Sequence, residues 1–204
     1  MSAKSLRVVL PAILWPAIVL ATPHTVSAAA QSYDLAAFKD ATLMRATVLC
    51  PDAPDNDCYQ HRLGTDTRLK VSTSGQAIVT AIIGFMLPDE TAQKPGRVDR
   101  CVLTMVGLKN PSPRSETLYV KATSPAWDEA SVNAMNGPSE GNIIGALVLP
   151  ANSSPQPIDV TPACKVSASL GSGFSVLVTT PAISYFEFPS KDAGQPARLQ
   201  VDVH

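Results

Sequence analysis

Four cysteines, at positions 50, 58, 101 and 164, follow an N-terminal stretch with the order of a secretory leader. Lys4 and Arg7 give that stretch a positive start, Val8 to Thr22 is an apolar run, and Val26-Ser27-Ala28-Ala29-Ala30 supplies small residues for an A-x-A-like cut. The run is shorter than the ~20 residues that span a bilayer, and Pro11 and Pro16 interrupt it. Residues 1–29 therefore read as a signal peptide and 30–204 as one mature domain, with no membrane association after cleavage. An even number of cysteines behind such a leader implies two disulfides. Three pairings are possible. Cys50–Cys58 with Cys101–Cys164 is favoured, because the first pair brackets a short turn-rich loop. A zinc site on Cys50, Cys58 and His61 matches no ligand spacing. Asn152-Ser153-Ser154 is an N-glycosylation sequon between two prolines, and Asn152 is the expected acceptor on a surface loop.

Short strands are expected through the mature part: 45–49, 67–71, 77–86, 98–106, 117–123, 143–149, 174–180, 185–188 and 197–203. Residues 30–42 read as a leader into the domain. The run AIVTAIIGFM at 77–86 has the character of a central strand buried on both faces, and 98–106 is similar. Turn signals such as Lys94-Pro95-Gly96 and Asn136-Gly137-Pro138 punctuate the strands at the spacing of a sandwich. One helix is expected, with Thr161 as its cap, Pro162 at its first position and Gly171 at its end; Cys164 would tie it to the strand carrying Cys101. The fold class is all-β: a jelly-roll-like antiparallel β-sandwich with one short helix.

Signs of catalysis are sparse. The mature part holds two histidines, His61 and the terminal His204, and no hydrolase, zincin or P-loop motif. Two of the 16 basic residues lie in the leader, which leaves 14 against 17 acidic ones and gives no reason to expect nucleic acid. Asp52, Asp55 and Asp57 crowd the loop closed by Cys50 and Cys58. They are a candidate calcium site, structural calcium being the one cofactor suggested, with a solvated acidic turn as the competing reading. Arg68 and Lys70 alternate with Leu69 and Val71, as Tyr119 and Lys121 do with Leu118 and Val120. If the two pairs share a sheet face, that face can hold an acidic sugar by charge-assisted hydrogen bonds; an ordinary solvated face is the alternative.

Several segments, in order, resemble the DNRLRE-type domain of carbohydrate-binding module family 96. His61-Arg62-Leu63-Gly64 through Leu69-Lys70-Val71 is similar to its opening, and residues 81–88 and 98–105 to the strands that follow. Trp127-Asp128-Glu129 with Val132 resembles its W-x-E-x-x-V turn, followed by Asn136-Gly137-Pro138. Ile158-Asp159-Val160-Thr161 resembles the segment before its helix, and Ser190-Lys191-Asp192-Ala193-Gly194 to Val201 its end. Asp192 stands where the family usually has Glu, and the Cys50–Cys58 loop looks like an addition.

The resemblance implies a jelly-roll sandwich that binds polysaccharide, acidic glycans such as alginate being one known ligand class. A physical reading of the motif residues points to structure. Trp127 is expected in the core, Glu129 on loop backbone N–H groups, Asp159 and Thr161 on the open N–H groups of the helix start, and Ser190 and Asp192 in the last turn. The expected function is a secreted, extracellular, non-catalytic polysaccharide-binding module, with cell-wall association a natural setting. The alternatives are a structural or adhesive wall protein that binds protein partners, and a polysaccharide-degrading enzyme. The sequence leaves the glycan and the oligomeric state open.

Overall fold

A computed structural model of the chain describes residues 30–204; the signal peptide read at 1–29 lies outside the described residues. Eleven strands and one α-helix follow in the order β1 (Gln31–Ala36), β2 (Lys39–Ala46), β3 (Arg68–Thr73), β4 (Ala77–Met86), β5 (Val98–Thr104), β6 (Glu116–Thr123), β7 (Ile143–Leu149), β8 (Ile158–Asp159), α1 (Thr161–Leu170), β9 (Gly173–Thr179), β10 (Ser184–Pro189) and β11 (Arg198–Val203). One sheet has the order β1-β11-β5-β8. The other has the order β10-β3-β4-β9-β6-β7, with β2 also laid against β4. All pairings are antiparallel, so the fold is the all-β sandwich that the turn spacing predicts.

The main core fills the space between the sheets. Val98, Leu103, Leu199 and Val201 face Ala81, Ile83, Phe85, Leu118, Val120 and Val176, and the Phe85 and Phe174 rings stack with centroids 6.3 Å apart. Each of these side chains except Ala81 contributes on the order of 1.5–3 kcal/mol by leaving water. The period of two in β4 sends Ile82 the other way, into a second cluster with Ala41, Leu43 and Leu177 under Val132 and Trp127. The loop between β6 and β7 therefore roofs the outer side of the larger sheet, and the 77–86 run is buried on both faces as its composition predicts. Strand β5 is not: Asp99 and Arg100 are exposed.

The expected leader 30–42 is instead strand. β1 alternates exposed Ser32 and Asp34 with Tyr33 and Leu35, which pack on the core. β2 begins at Lys39 and ends at Ala46, so the strand expected at 45–49 lies earlier. Only one side of β1 is apolar, and β2 carries the buried Asp40; neither offers the apolar run that marks a strand in isolation.

Both disulfides pair as expected, Cys50 with Cys58 and Cys101 with Cys164. The helix also lies where its caps place it, with Pro162 in the first turn and Gly171 at the C-terminus. Its start differs from expectation. Thr161 is the first helical residue and caps nothing; its Oγ1 accepts the Cys101 N–H at 2.8 Å, fastening the helix to β5. Asp159 does take an open N–H, that of Thr161, at 2.8 Å. Among the described residues, no helix is long and apolar enough to cross a membrane.

Candidate functional site

The antiparallel pairing of β3 with β10 sets Lys70 opposite Glu187, Ser72 opposite Tyr185 and Arg68 opposite Pro189. Leu69, Val71, Phe186 and Phe188 point into the core, so the alternate side chains of both strands share the opposite face. Glu187 is buried there, 7% exposed, between cations. Its Oε2 lies 3.3 Å from Arg68 Nη1 and 3.7 Å from Lys109 Nζ, and its Oε1 accepts the Tyr185 hydroxyl. Lys109 reaches the site because the segment after β5 runs beside β10, its N–H donating to the Glu187 carbonyl at 3.0 Å. Lys70 turns aside to Asp66, at 3.0 Å.

The hydroxyl of Tyr185, with Arg68 and Lys109 behind it, holds the Glu187 carboxyl below its ordinary range. Partial burial, and donation to that carboxylate, push the Tyr185 phenol up to about 12. A cavity of about 310 Å³ opens between Arg68, Lys109, Glu187 and Gln195. Tyr185 is half-exposed beside this cluster, and Ile183, in the bend just before β10, is 85% exposed. A flat apolar ring next to fixed guanidinium and ammonium groups is a surface on which a sugar ring can stack while its anionic substituent is held.

Sequence reasoning named Arg68 and Lys70 as candidates and did not name Lys109, Tyr185 or Glu187, which the fold sets beside Arg68. The signal for the last two was present in Tyr185-Phe186-Glu187-Phe188, where the phenylalanines claim the core. The other candidate pair lies elsewhere. Strands β4 and β9 stand between β3 and β6, roughly 14 Å at the usual strand spacing. Lys121 pairs with Glu140 at 2.7 Å, and Arg45 reaches the same carboxylate at 3.2 Å. Tyr119 sits two residues before Lys121 on β6, half-buried. The two pairs have no partner in common and form no single patch.

The motif residues converge on a third place, where they hold three segments together. Trp127 is half-buried in the second cluster, with Nε1 donating to Ser175 Oγ at 3.1 Å and Lys39 Nζ 4.3 Å above its ring. Glu129 anchors the backbone of β2, not that of its own loop: Oε1 accepts the Asp40 N–H at 2.6 Å. A side chain at Gly64 would place its Cβ 2.0 Å from the Glu129 carbonyl oxygen, which explains a glycine there. Ser190 is buried and its Oγ accepts the Asp192 N–H at 3.1 Å. The Lys191 N–H donates to Asp40 Oδ2 at 2.7 Å, and its ammonium lies 3.0 Å from both Glu129 Oε2 and Asp192 Oδ1. Burial pushes the Asp40 carboxyl up to about 6.

The fold does not bring the carboxylates of Asp52, Asp55 and Asp57 together. Asp52 and Asp55 are exposed, and Asp57 is occupied with the Tyr59 N–H at 2.9 Å and the Gln60 amide at 3.4 Å. The trio of carboxylates that does meet among the described residues, with an oxygen of each within 4.8 Å of the others, is Asp40, Glu129 and Asp192. Asn152 is exposed in the turn after β7, in the left-handed conformation (φ 55°) that asparagine tolerates. A larger groove, about 1180 Å³, runs between α1 and the loops at the ends of β6 and β7. Its walls include Ile143, Val166 and Leu170, with Glu140 as the sole charge and no aromatic ring, so it offers neither stacking surface nor paired cations.

An "Uncharacterized secreted protein" of Arthroderma benhamiae is 35% identical over 164 residues, which cover 80% of this chain and 81% of that protein. The family model of carbohydrate-binding module family 96 matches residues 55–203, a stretch running from the Cys50–Cys58 loop through β11 and including every residue of the β3–β10 face and the Trp127, Asp159 and Ser190 motifs. The chain belongs to carbohydrate-binding module family 96.

Proposed function

We propose that this protein is a secreted, non-catalytic module that binds an acidic polysaccharide on its β3–β10 face. The observation that carries the reading is the buried Glu187, which fixes Arg68 and Lys109 around one cavity and takes the hydroxyl of Tyr185 beside it. Arg68 and Lys109 keep about half of their side chains exposed, 49% and 52%, so each retains donors for a ligand carboxylate or sulfate. Tyr185 and Ile183 supply the apolar ground for a sugar ring. The leader at 1–29, the two disulfides and the secreted relative support an extracellular setting, and attachment to a polysaccharide-rich wall follows from the ligand class. Non-catalytic binding fits the site's chemistry. A phenol held neutral to about pH 12 is a poor general base, and a carboxyl held ionised below its usual range is a poor general acid.

Affinity electrophoresis of the mature protein through gels containing a polyuronate or a neutral glucan tests this. Retardation is expected in the polyuronate gel alone, weakening with salt. Arg68→Ala and Lys109→Ala should each weaken retention about tenfold, the scale of one charge-assisted hydrogen bond. Mobility unchanged in both gels would refute the reading.

A further inference from the structure

We propose that Asp40, Glu129 and Asp192 form a binding site for a divalent calcium ion, which enters by displacing the ammonium group of Lys191. The three carboxylates come from β2, the β6–β7 loop and the turn after β10, and an oxygen of each lies within 4.8 Å of the others. That is the separation of oxygens that share one hard cation of this size. Asp40 is 1% exposed, and its Oδ1 has no hydrogen-bond partner. A buried carboxylate oxygen without a partner is costly unless something positive or a donor meets it.

The cluster already accommodates a cation. Lys191 Nζ stands 3.0 Å from Glu129 Oε2 and from Asp192 Oδ1, but Asp40 Oδ1 remains unpartnered. The Lys191 side chain is 23% exposed and tethered only by these contacts, so it can swing into solvent. A small dication in its place reaches all three carboxylates. Its remaining positions face water past the exposed Asp192, which sets an expected affinity in the range of extracellular calcium modules, about 0.1–1 mM. Fixing the Ser190–Asp192 turn also fixes the start of β3, because the Ser190 N–H donates to the Thr67 carbonyl at 3.1 Å, next to Arg68.

The test is the melting temperature of the mature protein, stripped with EDTA and then titrated with CaCl2 or MgCl2. Wild type should rise by about 3 °C or more in excess CaCl2, and less in MgCl2. Asp192→Asn, an exposed substitution that leaves the core untouched, should remove the rise, as should Asp40→Asn. Lys191→Met, which deletes the competitor, should bring half-saturation to a lower calcium concentration. Asp52→Asn combined with Asp55→Asn should leave the response intact. A calcium response absent from both wild type and Lys191→Met overturns the proposal, as does one that survives both Asp192→Asn and Asp40→Asn.

Discussion

Breaking the Cys101–Cys164 disulfide should cost this protein more than any single contact in its core. The bridge joins β5 to the first turns of α1 across 63 residues, whereas Cys50–Cys58 spans 8. In the chain-entropy account, a cross-link destabilises the unfolded state by an amount that grows with the logarithm of the loop. The longer loop gives about 4 kcal/mol and the shorter about 2.5 kcal/mol. The Cys101→Ala/Cys164→Ala double variant also removes two fully buried sulfurs, so 4 kcal/mol is a lower figure for it. For a chain of this length each kcal/mol lowers the melting temperature by about 2–4 °C, so a fall of roughly 8–16 °C is expected. The Cys50→Ala/Cys58→Ala variant should fall by about 5–10 °C. The helix itself should stay docked. Thr161 Oγ1 still accepts the Cys101 N–H, and the Val160 N–H still donates to the Cys101 carbonyl at 2.9 Å. Urea unfolding of both variants under non-reducing conditions gives the two losses, and hydrogen exchange reports α1. Equal losses, or a larger loss from the short loop, would refute the unfolded-state reasoning. Selective loss of helix protection would place the effect in the native state instead.

Two further expectations concern pH and the second cluster. The Glu187 carboxyl is lowered in the folded state, so it stabilises the fold above its unfolded value near 4.3, and that stabilisation is lost as pH falls through the folded value. The Tyr185 phenol is raised to about 12, so its contribution is present below its unfolded value near 10 and is lost as pH rises from there toward 12. Melting curves across pH should show Glu187→Gln flattening the acid limb and Tyr185→Phe the alkaline limb. Leu177→Ala, under the β6–β7 loop, should cost about 2–4 kcal/mol. It should also shift the fluorescence of Trp127, the one tryptophan outside the leader, to the red; unchanged emission would mean that the loop is held without the cluster.

Strands with an apolar run or clean alternation were legible in the sequence, as was the pairing of the four cysteines. Ala77–Met86 is the clearest instance: its residues 79–85 are all buried, on both faces of the sheet. β1 and β2 were not, since Tyr33 and Leu35 are few and Asp40 is buried only because residues far along the chain meet it. The same limit governs the candidate site. Arg68 and Lys70 were named as candidates from their own strand, but Glu187 joins Arg68 across 119 residues, and nothing local announces that partnership. The motif residues Glu129 and Asp192 were visible as a pattern. Their meeting point, Asp40, lies 89 residues from the first and carried no signal of its own.

The β1–β11 ladder has a mechanical consequence. Gln31 pairs with Val203 and Ala36 with Arg198, so both ends of the ladder's two strands emerge at the same corner. A force drawing residues 31 and 203 apart would load the interstrand hydrogen bonds one pair after another instead of all at once. The first strand would peel away as a zipper opens, up to the Ala37 N–H bonded to the Ala197 carbonyl. A module tethered through that corner would yield early and softly under tension.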